Sequence, residues 1–199
     1  MHSAMNTLYN EIRQCKVCLP ELEHGVNPIL SASTKSKFAI IGQAPGSVVH
    51  QTSIPWDDKS GERLRNWLGV DDDTFYNPDI FAIVPMGFCY PGKGKSGDLP
   101  PRKECAPLWH QKVFDHITDI QLTLLIGSYA QEYYLKDKRN RTLTDTVKSY
   151  KSYLPEYLPL PHPSPRNNIW LKKNEWFEEE VIPYLRMKIA SIVDSGTDQ

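Results

Sequence analysis

Apolar and polar positions alternate along the chain in blocks of two kinds. Short apolar runs, FAII at Phe38–Ile41, IFAIVPM at Ile80–Met86, LTLLI at Leu122–Ile126 and a brief LPL at Leu158–Leu160, read as buried strands. Between them lie segments with apolar residues three or four apart. Leu8 and Ile12 mark a helix over Asn6–Cys15, and Leu64, Trp67 and Leu68 mark one that stops at Gly69. Lys103–His116 carries Cys105, Leu108, Val113 and Phe114 at helical spacing, and SYAQEYYL follows Gly127. TLTDTVKSY offers Thr142 or Thr144 as a cap, and the last region sets Trp176, Phe177, Val181, Leu185 and Ile189 on one face, with Pro183 as a turn or kink. Strands that alternate with helices predict an α/β domain built on a parallel sheet, with right-handed crossovers and helices on both faces.

That topology has a geometric consequence. GQAPG, PMGFCYPG, IGSYA and LPHPSPRN each follow a strand, so all four loops are expected along the carboxyl edge of the sheet, where ligands bind in such folds. DDDTFYNPD and GFCYPGKGKSGDLPPR read as polar connectors, and only DSGTDQ at 194–199 reads as a polar tail.

Size and charge narrow the picture. The 199 residues suit one domain, 1–199, with the segment 1–36 packed on it. A formal net charge of −1 gives no overall basic footprint, so any nucleic-acid partner must be met by a local cleft. No apolar run approaches the roughly 20 residues that span a bilayer, and the N-terminal stretch lacks an apolar signal core. The expectation is a soluble, cytoplasmic, monomeric protein without a membrane partner. In a reducing compartment the four cysteines are thiols or metal ligands rather than disulfides. Cys15-x2-Cys18, Cys89 and Cys105 leave no thiol spare, which suggests one four-thiolate site holding a [4Fe-4S] cluster or zinc; four free thiols are the alternative.

Two loops carry candidate chemistry. GQAPG alone is a common strand-to-turn pattern. In PHPSPRNN, Pro161, Pro163 and Pro165 restrict the backbone around His162, and Ser164, Arg166 and Asn167 are polar. Between the loops lies the aromatic and acidic segment Pro55–Gly61, PWDDKSG.

With GQAPG early, HPSPRNN late and PWDDKSG between them, the chain resembles the uracil-DNA glycosylase superfamily from about Cys15 to the final helix. It is closest to the bacterial iron-sulfur branch, whose motifs read GEAPG and HPSP. The resemblance implies a three-layer α/β/α fold with a central four-stranded parallel sheet. It also implies a DNA glycosylase of base-excision repair that flips a damaged base, uracil by default, out of DNA and hydrolyses its N-glycosidic bond. A flipped base needs an aromatic face, polar groups for its edge, a donor for the anionic leaving base and a polarised water. Trp56, or else Phe75 or Tyr76, is expected to stack on the base. By the resemblance His162 donates to the base's O2, and Gln43 contacts the base or orients the water. Asp58, or Asp57, is the carboxylate for the water or the cationic sugar, with no metal in the chemical step. Ser164, Arg166 and Asn167 are expected on the DNA backbone, with Lys93, Lys95 and Arg102 adding charge. Lys136, Lys138, Arg139 and Arg141 form a basic run that serves equally as a solvated loop. The cysteine spacing is similar to that of the iron-sulfur enzymes, in which the cluster is structural, and this places the cluster ahead of zinc.

Two departures bear on the chemistry. Gln43 stands where the iron-sulfur branch has Glu and cannot take a proton. The asparagine that reads the uracil edge at the end of the second strand has no counterpart in IVPMGFC, which leaves hypoxanthine or another damaged base open. Gln43 also favours a rival, a non-catalytic or covalently trapping DNA-binding protein of the same fold. A small-molecule hydrolase using Ser128 would lack the GxSxG pattern.

Overall fold

Residues 2–193 are described by a computed structural model, so the polar tail 194–199 lies outside the described residues. In chain order the strands are β1 (Phe38–Ile41), β2 (Phe81–Ile83), β3 (Lys93–Gly94), β4 (Gly97–Asp98), β5 (Leu122–Ile126) and β6 (Tyr157–Leu160). The helices are α1 (His2–Arg13), α2 (Ser47–Thr52), α3 (Lys59–Leu68), α4 (Asp72–Phe75), α5 (Cys105–Phe114), α6 (Ser128–Leu135), α7 (Leu143–Lys148), α8 (Asn168–Lys173) and α9 (Ile182–Val193). Four strands form one parallel sheet in the order β2-β1-β5-β6, and β3 pairs antiparallel with β4 in a separate hairpin.

The strand period of two divides the sheet's side chains between two layers. Phe38, Ile40, Leu124 and Leu158 face a layer made by α3, α7 and α9, where Leu64, Trp67, Val147 and Leu185 are buried. Ala39, Ile41, Ala82 and Leu125 face the other way, onto α1, α5 and α6, through Leu8, Ile12, Trp109 and Ala130. The result is the expected three-layer α/β/α fold around a four-stranded parallel sheet. Fully buried on both faces, the central strands read as continuous apolar runs. Pro159 sits in β6, an edge strand, where a missing N–H breaks no ladder on the open side. The other edge is covered where Ser31 pairs with Ile83.

Several local expectations are refined. β2 is shorter than the apolar run Ile80–Met86, since Val84 and Met86 already belong to the loop tied back to β1. Asp71 caps α4 within the acidic stretch read as a connector, its side chain accepting from Thr74 N. The stretch KGKSGD, read as loop, closes as the β3–β4 hairpin. Thr142 is the cap of α7. At the C-terminal helix a π-helical turn, Phe177–Val181, leads directly into α9, so Pro183 lies within a continuous helical stretch, just past the point where the regular i→i−4 ladder is interrupted.

Candidate active site

A cavity of about 500 Å³ opens at the carboxyl edge of the sheet. Its first wall is the loop after β1. Met86 N–H donates to Gly42 O at 2.9 Å and Gly87 N–H to Gln43 O at 3.0 Å, so the loops after β1 and β2 are joined by backbone bonds and the Gln43 side chain is left to line the cavity.

Trp56 forms a second wall in a backbone conformation that side chains resist, with φ of 59°. Three features hold it there. Arg65 Nη1 donates to Trp56 O at 3.2 Å while its Nε pairs with Asp72 at 2.7 Å. Gly61 leaves room for that carbonyl, because a Cβ at this position would lie 1.7 Å from Trp56 O. Gly42 leaves room for the indole, which a Cβ there would meet at 2.7 Å. The indole then sits 5.7 Å from the His162 ring, centroid to centroid, at 34°. Strain held by surrounding contacts in this way is common at functional sites.

Asp58 caps α3, and its Oδ1 accepts from Gly61 N at 2.8 Å. The cap fixes the carboxylate at the cavity wall and leaves Oδ2 on the side of Gly46. Asp57 does not line the cavity.

His162 follows β6. Ser164 N–H donates to its Nδ1 at 3.2 Å, so the neutral ring carries its proton on Nε2. Asn167 Nδ2 donates to His162 O at 2.7 Å, and Arg63 clasps the loop from α3 through Ser164 O at 3.1 Å and Asn168 Oδ1 at 2.7 Å. Desolvation holds the imidazole below its ordinary pKa, opposed by the nearby Asp58 carboxylate. At neutral pH the ring is an uncharged donor.

Gln43, Trp56, Asp58, His162, Ser164, Arg166 and Asn167, separated by more than a hundred residues in sequence, thus line one cavity. Phe75 and Tyr76 do not join them: Phe75 is buried in the core under the Arg65 guanidinium, and the Tyr76 hydroxyl accepts from Arg65. Arg166 has a local task, since its Nη1 donates to Ser96 O at 2.9 Å and ties the HPSPRN loop to the β3–β4 hairpin. Lys93 and Lys95 are exposed on that hairpin. Arg102 is elsewhere, bonded to Glu104 at 2.8 Å and near Glu21 at 3.8 Å, because two carboxylates flank it. Lys136, Lys138 and Arg141 are exposed after α6, and Arg139 lies 3.9 Å from Glu132. Ser128 is exposed at the start of α6 and does not line the cavity.

Asp98 was missed in the sequence. It closes the hairpin and lines the cavity beside Gly46, and a glycine-turned hairpin within KGKSGD was the available signal. Burial, with Asp98 next in order, raises the pKa of the neighbouring Tyr90.

A second, smaller cavity of about 30 Å³ lies under the loop after β2, lined by Cys15, Cys18, Cys89 and Cys105 together with Ile12, Leu22 and Trp109. The four sulfurs form no disulfide. They arrive from separate places: two just past α1, one after β2, one opening α5. Phe88 N–H donates to Cys105 Sγ at 3.3 Å. Burial pushes Cys105 up to about 12 and Cys89 up to about 11. Among the described residues no three His, Cys, Asp or Glu side chains are grouped as a metal-ion site. Zinc, at Zn–S of about 2.3 Å, would draw four sulfurs to within about 4 Å of one another. A cluster holds them farther apart, at its outer corners. Four thiols that line one cavity are the donor type that either group takes.

Among the described residues no helix is long and apolar enough to cross a membrane. Residues 30–186 match the family described as the uracil DNA glycosylase superfamily. The match spans GQAPG, PWDDKSG and HPSPRNN as well as Cys89 and Cys105, and it begins after Cys15 and Cys18.

Proposed function

The chain belongs to the uracil DNA glycosylase superfamily, and from that premise we propose that it is a cytoplasmic, monomeric DNA glycosylase that flips a deaminated base, uracil by default, into the cavity and hydrolyses its N-glycosidic bond. One observation carries this reading: a stacking surface, a fixed carboxylate and an imidazole with its proton on Nε2 face the same space. Trp56 stacks on the flipped base. As the bond between C1′ and the base nitrogen breaks, its electron pair passes to the base, and His162 Nε2–H donates to the O2 that gains charge. Asp58 Oδ2 takes a proton from the water whose oxygen bonds to C1′. Gln43 orients that water or the base edge, because an amide takes no proton. Ser164, Asn167 and the Lys93 and Lys95 hairpin meet the DNA backbone, with Arg166 holding hairpin and loop together.

Base release from oligonucleotides carrying one uracil, hypoxanthine or xanthine, in single and double strands, tests the reading. His162→Ala should abolish release while leaving DNA affinity within a few fold. Release that survives that change refutes the assigned donor. Gln43 supports one rival, a protein that binds or covalently traps the base without turnover; stable binding or an irreversible adduct with no release from any oligonucleotide would establish it.

The four cysteines hold a [4Fe-4S] cluster in this proposal, in keeping with the iron-sulfur branch, with zinc as the alternative. When bound, such a cluster would supply no chemistry to base release; Cys15 and Cys18 past α1, Cys89 after β2 and Cys105 at the start of α5 would hold it and so tie those elements together. Cys89 lies four residues before β3, so the bracing reaches the hairpin that borders the cavity.

A further inference from the structure

The cavity holds two carboxylates and little to balance them. A Cβ on Gly46 would stand 3.5 Å from Asp98 Oδ2 and 4.0 Å from Asp58 Oδ2, so the two oxygens approach one point from separate elements, the end of the hairpin and the cap of α3. Among the described residues neither carboxylate is in an ion pair. The cation that lines the cavity, Arg166, is turned to Ser96 O, and Lys93 and Lys95 are exposed on the hairpin. His162 is neutral at pH 7, its pKa depressed by burial.

Beside the Gln43 amide, the cavity lining includes Ile29, Val49, Ile83, Pro85 and Pro91, whose side chains offer a base no hydrogen bond. Pro85 O is taken by His110 Nε2 at 3.0 Å, and Ile83 N and O are both paired with Ser31. A ring N–H set against these side chains would lose a hydrogen bond, and an alkyl group would not.

We propose that the cavity accepts a second class of substrate, a nucleobase given a fixed positive charge by N-alkylation, with the charge held between the Trp56 indole and the Asp58 and Asp98 carboxylates and the alkyl group among the apolar side chains of the lining. Tryptophan is the best aromatic face for a cation. Carboxylates that oppose an anionic leaving base favour a cationic one. The cavity volume lies within the range that holds a drug-sized ligand, so a purine is not too large. The chemistry balances simply. The bond between C1′ and the ring nitrogen breaks, its electron pair cancels the ring's charge, the base leaves neutral, water oxygen bonds to C1′, and Asp58 takes the water's proton. No donor to the leaving base is required, so this activity depends less on His162 than uracil release does.

The proposal rests on the glycosylase reading, and the experiment separates the two. The full chain is given duplexes bearing one 7-methylguanine or one uracil, under single-turnover conditions, with spontaneous depurination subtracted. Release of 7-methylguanine at least tenfold above the spontaneous rate is expected. Asp98→Asn should lower the ratio of 7-methylguanine to uracil release at least tenfold, and His162→Ala should depress uracil release at least tenfold more than 7-methylguanine release. Uracil released with no enzymatic loss of 7-methylguanine overturns the inference and leaves the glycosylase reading intact. A ratio unchanged in a folded Asp98→Asn protein also overturns it, and should that variant fail to fold, the His162→Ala comparison decides alone. Release of neither 7-methylguanine nor any of uracil, hypoxanthine and xanthine refutes both.

Discussion

Asp58 combines two tasks that one substitution separates. Its Oδ1 caps α3 through Gly61 N at 2.8 Å, and Oδ2 is assigned to the attacking water. Asparagine caps a helix about as well as aspartate, so Asp58→Asn should keep stability within about 0.5 kcal/mol of the parent, whereas Asp58→Ala, which loses the cap, should cost about 1 kcal/mol. For a chain of this size that loss lowers the melting temperature by about 2–4 °C. Activity should divide differently. Removing a general base costs typically 10²–10⁴-fold, and both variants remove it. Loss of Asp58's charge also takes away the one influence raising the His162 pKa, but the ring is already neutral at pH 7, so the rate loss does not come through His162. The assay is single-turnover release of uracil alongside thermal unfolding. An Asp58→Asn protein that melts like the parent and retains more than a tenth of its rate would show that the water is activated elsewhere, and the role given to Asp58 would fall.

Gly61→Ala places a methyl carbon where Trp56 O now lies, 1.7 Å away, so the indole must shift; base release should fall at least tenfold, and an unchanged rate would remove Trp56 from the site. His110 is buried between Tyr134 and Pro85 O, and burial holds its pKa at about 4 against 6.5 unfolded. The unfolded chain therefore binds the extra proton first as pH falls, and stability is lost between pH 6.5 and 4. By pH 5 this amounts to about 2 kcal/mol relative to pH 7. Urea unfolding of His110→Gln should lack that increment of acid sensitivity; equal pH dependence in both proteins would contradict it. Cys89→Ser should give a colourless protein with a loosened hairpin, seen as faster amide exchange at 93–98; a parent protein with stoichiometric zinc and no visible band would replace the cluster by the single ion.

The expected architecture was legible because its signals are local. Apolar runs of four or five residues mark β1 and β5, the one-turn spacing of Leu64 and Leu68 marks α3, and Gly69 marks its end, where it adopts φ of 70°. Those elements fix which loops share an edge of the sheet, so Gln43 and His162 could be paired before any coordinates. Even the four thiols were grouped by count alone.

What the tertiary structure decided is the identity of each partner across long stretches of chain. Arg166 reads in the sequence as one more polar residue of the HPSPRN loop, and folding also makes it a tie to Ser96 on a hairpin seventy residues away. Arg102 looked like part of a basic loop, and Glu21 and Glu104 take it up. Phe75 competed with Trp56 as a stacking ring until the core buried it. The hairpin that ends at Asp98 was signalled by its glycines, but the residue's meaning comes from lying beside Gly46 and within one cavity with Asp58. Periodicity is set by each residue's own backbone and is written into the sequence. The charge and hydrogen-bonding character of a cavity depend on which groups are already satisfied by neighbours distant in the chain, and only folding assigns those neighbours.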